Sequence, residues 1–195
     1  MINGLRMAAV AVVLCMSGAA HAVEYSADGV AHNSTGQTKM SKIYVSNGKV
    51  RVEPVGGTSY EVLDTVHQTG YFVVPAKKLR VEQPAVMAGQ NGAAYNVGVT
   101  PCTALMLTRA MVNCKKLGAD KLNGQATEKW QVIQLLGSQS FTSTVWVDRA
   151  LGAIVKAQSA RGTFDLQNVR MGPQSASLFV TPAGFATQQI GPPQK

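Results

Sequence analysis

The sequence predicts a mainly β domain, an antiparallel sheet or barrel, from three observations. Two Asn-Gly pairs, Asn47-Gly48 and Asn123-Gly124, are the dipeptide that best supplies the two positive φ angles of a type I′ hairpin turn. Beside the first pair, Val50 and Val52 point one way while Lys49, Arg51 and Glu53 point the other, the mark of a half-buried strand. Turn residues at Gly56-Gly57, Gly137, 148–152 and Arg161-Gly162 then punctuate the chain at the spacing of antiparallel strands.

Residues 1–22 read as a cleaved signal peptide. Arg6 precedes the apolar run Met7–Met16, and small residues close on Ala20-His21-Ala22, an A-x-A cleavage site ending at Ala22. The run is about half of the ~20 residues that a helix needs to span a bilayer, so a retained anchor is the lesser reading. Cys15 follows Leu14 rather than the small residue of a lipoprotein signal. The expected location is therefore the periplasm, with one domain over 23–186 and a disordered tail over 187–195.

Strands are expected at Val23–His32, Thr38–Ser46, Lys49–Val55, Tyr60–Val66, Tyr71–Val74 and Leu79–Gln83. Lys49-Val-Arg-Val-Glu53 and Lys78-Leu-Arg-Val-Glu82 resemble each other, but such short basic β-patterns recur by chance and no repeat is assigned. After a Gly/Ala/Asn-rich stretch, 88–100, the pattern changes. Thr100 suits a helix cap and Pro101 its first position, with Leu107, Ala110, Met111 and Cys114 at helical spacing and Lys115 and Lys116 in the last turn.

That helix competes with a disulfide. Removing Cys15 leaves two of the three cysteines, Cys102 and Cys114, and an even count in an oxidising compartment argues for a bridge. Twelve residues of helix span ~18 Å, whereas bridged Cα atoms lie ~4.4–6.8 Å apart. Both cannot hold; the exported context favours the bridge, with a shorter helix or turn inside the loop. Further strands follow at Ala126–Leu135, Phe141–Asp148, Ala153–Ser159 and Thr163–Met171, then one helical turn at Ser175–Phe179.

The net charge of +8 comes from scattered cations, without blocks or interleaved aromatics, so nucleic acid is not the expected partner. An anionic envelope surface is the better match, set against a merely soluble basic surface. No G-x-S-x-G, H-E-x-x-H or phosphate-loop motif is present, and no cofactor, metal site or catalytic residue is expected. His32 and His67 read as strand-end and turn residues, and Glu53, Asp64, Asp148 and Asp165 as solvated or capping groups. The apolar candidates for a ligand cavity are Leu105, Met106, Leu107, Met111, Trp130 and Trp146. Ordinary core packing is the plainer account of the same residues.

Five stretches together resemble a family of exported bacterial domains akin to the LolA/LolB lipoprotein carriers and receptors and to the RseB stress-regulator domain. They are Ser41–Glu53; Tyr71-Phe-Val-Val-Pro75; Cys114–Gly118 with Asn123-Gly124 and Lys129-Trp130; Val145-Trp-Val-Asp148; and Ala176–Phe179 with Pro182–Phe185. The resemblance implies an unclosed antiparallel half-barrel with short helices or loops over its concave, apolar side, where the carriers receive acyl chains. It implies no catalytic residue; Arg51 is the nearest match by context to the carriers' cavity arginine. The 102–114 segment departs from the carriers and fits their uncharacterised relatives. The expected function is a periplasmic, non-catalytic protein holding a lipid or lipoprotein acyl chain. The alternative is an interaction or sensing module with a packed core. The oligomeric state stays open.

Overall fold

The computed structural model describes residues 23–84, 94–95, 100–102 and 111–190. A first meander comprises β1 (Tyr25–Asn33), β2 (Thr38–Ser46), β3 (Lys49–Pro54), β4 (Tyr60–Asp64), β5 (Thr69–Val74) and β6 (Leu79–Glu82). A second comprises β7 (Met111–Leu122), β8 (Gln125–Leu136), β9 (Gln139–Asp148), β10 (Ala153–Ser159) and β11 (Gly162–Met171), and β12 (Ala186–Gln189) ends the series. All belong to one sheet in the order β12-β6-β5-β4-β3-β2-β1-β11-β10-β9-β8-β7. Antiparallel pairing of β1 with β11 welds the two meanders together. The sheet does not close, and it is the open half-barrel that the sequence leads one to expect.

The Asn-Gly turns form as their chemistry requires. Asn47 and Gly48 have φ of 51° and 74°, and Asn123 and Gly124 have 50° and 81°. These positive angles match the right-handed twist of the flanking strands. They fix the registers Ser46↔Lys49 and Leu122↔Gln125, and so decide which side chains share a face.

One face, here called inner, carries two apolar clusters. Tyr25, Ala27, Ile43, Val45, Val50 and Leu63 pack with Leu151, Ala153 and Leu166 in the first. Trp130, Val132, Val145, Val147 and Ile154 form the second. Tyr95 lies against the first, and Ala94 against the second. On the outer face Tyr60, Val62 and Val73 are covered by Leu178, Phe179 and Phe185. The C-terminal segment is thus a strap across the back of β3–β6, with a 3-10 turn at Ala176–Phe179 where the sequence suggests a helical turn.

The competition between helix and bridge is decided for the bridge, and one further expectation is corrected. Residues from Met111 onward are strand rather than helix, because the Asn123-Gly124 hairpin gives the twelve residues of β8 an equally long partner in β7. The Cys102–Cys114 disulfide forms, with Cα atoms 5.7 Å apart, and only Pro101 and Cys102 of the expected helix are seen as helical among the described residues. Nor is the segment beyond 186 wholly a tail. Ala186–Gln189 pairs in parallel with β6, from Ala186↔Leu79 to Gln189↔Glu82. An edge strand presents a row of unpaired N–H and C=O groups, and this segment satisfies one such row. Residues 1–22 and 191–195 lie outside the described residues.

Candidate functional site

Cross-strand register assembles an apolar row over the inner face. Lys39 of β2 opposes Ala31 of β1, which opposes Phe164 of β11. Phe164 opposes Ala157 of β10, Ala157 opposes Val145 of β9, and Val145 opposes Trp130 of β8. Trp130 finally opposes Lys116 of β7. Five apolar residues therefore lie side by side between two lysines, over a span of about 19 Å at ~4.8 Å per strand.

Above part of this row lies a pocket of about 350 Å³, with Ala31, Ala157 and Phe164 among its lining residues. The next row toward the strand ends supplies Asn33, Gly162, Ser159 and Ser143. Alanine, glycine and serine leave the space that larger side chains would fill. Phe164 packs against the first cluster and Ala157 against the second, so the pocket opens at the seam between them.

The opposite end of the inner face is closed by charge. Glu128 accepts from Lys116 at 2.6 Å, from Arg149 at 2.8 Å and from the Trp130 indole N–H at 3.2 Å. The hydrogen bonds from Lys116 and Arg149 hold its carboxyl down at about 2. They also fix the Trp130 ring at the edge of the row. Burial pushes the Tyr25 hydroxyl far up, with Tyr95 and Asp148 adding to the effect.

The expected site residues separate. Trp130 is an inner-face residue, but Trp146 is its neighbour on the other side of the sheet. Trp146 opposes Lys129 and Lys156, whose ammonium groups lie 4.9 and 5.7 Å from its ring centroid, and its indole N–H donates to Asp120 at 2.8 Å. Strand alternation puts Val145 and Trp146 on opposite faces. Leu105, Met106 and Leu107 fall outside the described residues, and Met111 begins β7. Cys102 is buried, and Cys114 packs against the second cluster.

Arg51, the candidate cavity arginine, is on the outer face instead. Its guanidinium lies 3.5 Å over the Tyr60 ring, pairs with Glu53, and donates to the Leu178 carbonyl at 2.7 Å. Register explains this: Arg51 opposes Tyr44 and Val62, whereas the inner residues Val50 and Val52 flank it.

The remaining polar candidates serve turns and strands. The Asp64 carboxylate accepts from the N–H groups of Val66 and His67, and lies 2.9 Å from His67 Nδ1 on an exposed turn. Asp148 accepts from the N–H groups of Ala150 and Leu151. Asp165 lies 3.6 Å from Lys156, and His32 Nδ1 lies 2.8 Å from Thr38 Oγ1.

No family model matches the chain, and no curated protein matches it. Solved structures do share its architecture. An uncharacterized conserved protein from Thermus thermophilus superposes with a TM-score of 0.54 at 9% identity, covering 87% of this chain and 91% of that one. PNGF-II superposes at 0.55 and 10% identity over 87% of this chain, which spans only 31% of the PNGF-II chain. A LolA superfamily protein from Nitrosomonas europaea aligns over 82% of this chain and 90% of its own, at 7% identity and a TM-score of 0.36. At these identities the likeness to the first two is one of fold alone. Among the described residues no helix is long and apolar enough to cross a membrane.

Proposed function

We propose that this chain is an exported, non-catalytic binding protein whose inner sheet face receives an apolar ligand, a lipid or the acyl chain of a lipoprotein. The observation that carries this reading is the apolar row from Ala31 to Trp130, which runs from an open pocket at the seam between the two clusters. The pocket volume falls in the ~300–1,000 Å³ range of small-molecule sites. An extended chain laid along the row exchanges water for apolar contact at about 0.8 kcal/mol per buried methylene. Leu105, Met106, Leu107 and Met111 complete the ligand contacts in this reading. Residues 1–22 direct export to the periplasm, and cleavage after Ala22 leaves Val23 as the mature N-terminus, which N-terminal sequencing checks.

A second reading has one observation in its favour. Tyr25, Ile43 and Val50 are wholly buried, and Val145 and Trp130 of the row itself are only 4% and 9% exposed, so much of both halves of the inner face is covered by the chain's own atoms. An interaction or sensing module with a packed core needs nothing more, and its basic surface would then engage the envelope.

Native mass spectrometry of protein purified from a periplasmic extract separates the two. Co-purified lipid, or uptake of added fatty acid or lipopeptide at one equivalent, supports the binding reading. Apo protein alone, with no uptake, overturns it in favour of the packed module.

A further inference from the structure

We infer that the pocket at the seam selects amphiphiles with an anionic oxygen head group, held between Lys39 and Arg161 while the chain follows the apolar row. The inference rests on the binding reading above and specifies the ligand class of that same site.

Charge distribution carries the argument. Among the described residues six lysines and arginines pair with carboxylates, Lys42 with Asp28, Arg51 with Glu53, Arg80 with Glu82, Lys156 with Asp165, and Lys116 and Arg149 with Glu128, while others such as Lys115 and Lys121 do not. The pocket brings two cations without such a partner to one apolar opening. Its lining contains Lys39 and Arg161 but no aspartate or glutamate. Among the described residues neither cation has a carboxylate partner, and both are exposed. Lys39 stands at the pocket end of the apolar row, directly beside Ala31. Arg161 lies with its guanidinium 3.8 Å over the Phe141 ring. Stacking occupies one face of the guanidinium plane and leaves the in-plane N–H donors free for an oxyanion.

The rim is also held in place. The Asn33 carboxamide oxygen accepts from the N–H groups of Thr35 and Gln37, and the Ser34 N–H donates to the Arg161 carbonyl. The β1–β2 turn and the β10–β11 turn are therefore joined at the pocket rim, where Arg161 sits in one turn and Lys39 at the start of β2 beside the other. Apolar row, small-residue opening and unmatched cations together describe a site for a molecule with one greasy end and one negative end. A neutral lipid satisfies only the first part, and a cationic amphiphile is repelled.

Isothermal titration at low ionic strength tests this with four probes of equal chain length: dodecanoate, dodecyl phosphate, glycerol monododecanoate and dodecyltrimethylammonium. The two anions are expected to bind about five- to tenfold more tightly than the neutral ester, a typical gain for two exposed charge contacts, and the ammonium most weakly. The gap should narrow in 1 M salt. The Lys39→Gln/Arg161→Gln double variant should bring both anions down to the level of the ester. The charge-matched Lys115→Gln/Lys121→Gln variant, on β7, should leave the ranking intact and so exclude bulk charge. The stronger of the two anions distinguishes a carboxylate from a phosphate source. Equal binding of all four probes overturns the head-group inference while leaving the apolar site standing. No binding of any probe removes the apolar site and the inference together.

Discussion

Glu128 shows how one residue can set both the electrostatics and the geometry of the inner face. Because Lys116 and Arg149 hold its carboxyl down at about 2, against an ordinary value of 4.5, the folded state binds its proton less readily than the unfolded state. The stability this confers is complete above about pH 4.5 and is lost as pH falls toward 2. Thermal melts across that window should show the Glu128→Gln variant less stable than the parent at neutral pH, with the difference gone near pH 2. A constant difference across the window would mean that Glu128 acts through packing alone. Single residues were only partly legible in the sequence. Alternation separates Val145 from Trp146, yet nothing in the chain announces that Trp130 shares a face with Phe164, because that depends on the registers of three intervening strand pairs.

At the scale of elements, the resemblance between Lys49–Glu53 and Lys78–Glu82 has a physical meaning that sequence alone could not supply. Both are strands of the same sheet, and each points its arginine to the outer face over a tyrosine. Arg51 stacks on Tyr60 and pairs with Glu53; Arg80 stacks on Tyr71 at 3.8 Å and pairs with Glu82. Together with the Tyr71 hydroxyl, which donates to the Phe179 carbonyl at 2.8 Å, they clasp the C-terminal strap. Phe179 is the strap's buried anchor. Phe179→Ala should cost about 3 kcal/mol in chemical denaturation and expose 176–190 to protease, while Arg51→Ala should cost less and give the same cleavage pattern. Unchanged cleavage in both would show that the strap is not held by these contacts. The parallel strand β12 went unread because Ala186–Gln189 has no apolar alternation; its pairing answers the open edge of β6 rather than any signal of its own. The helical spacing in 107–114 misled for the opposite reason. A local apolar pattern was outweighed by the hairpin that Asn123-Gly124 imposes. The bridge between Cys102 and Cys114 ties the start of β7 to the chain that precedes it, and Cys114→Ser with Cys102→Ser should cost about 3 kcal/mol, the order expected for a loop of this length. Denaturant midpoints with and without reductant check this: the double variant should match the reduced parent.

The whole molecule is an open sheet whose two meanders meet along β1 and β11, and the seam between their clusters is where the pocket lies. The antiparallel class was readable because hairpin turns, glycine spacing and alternation all agree with it, and the open half-barrel is what the family resemblance implies. The location of the pocket was not readable, since it arises from small residues on several different strands. The two tryptophans of the chain make the central claim directly measurable, because one lies on each face. Single-tryptophan variants, Trp146→Phe and Trp130→Phe, can be titrated with a fatty acid brominated along its chain, bromine being a short-range quencher of indole fluorescence. If the chain occupies the inner row, the emission of Trp130 should fall on saturable addition of the brominated acid while that of Trp146 stays nearly constant. Equal quenching of both, or none of Trp130, would contradict an acyl chain on the inner face.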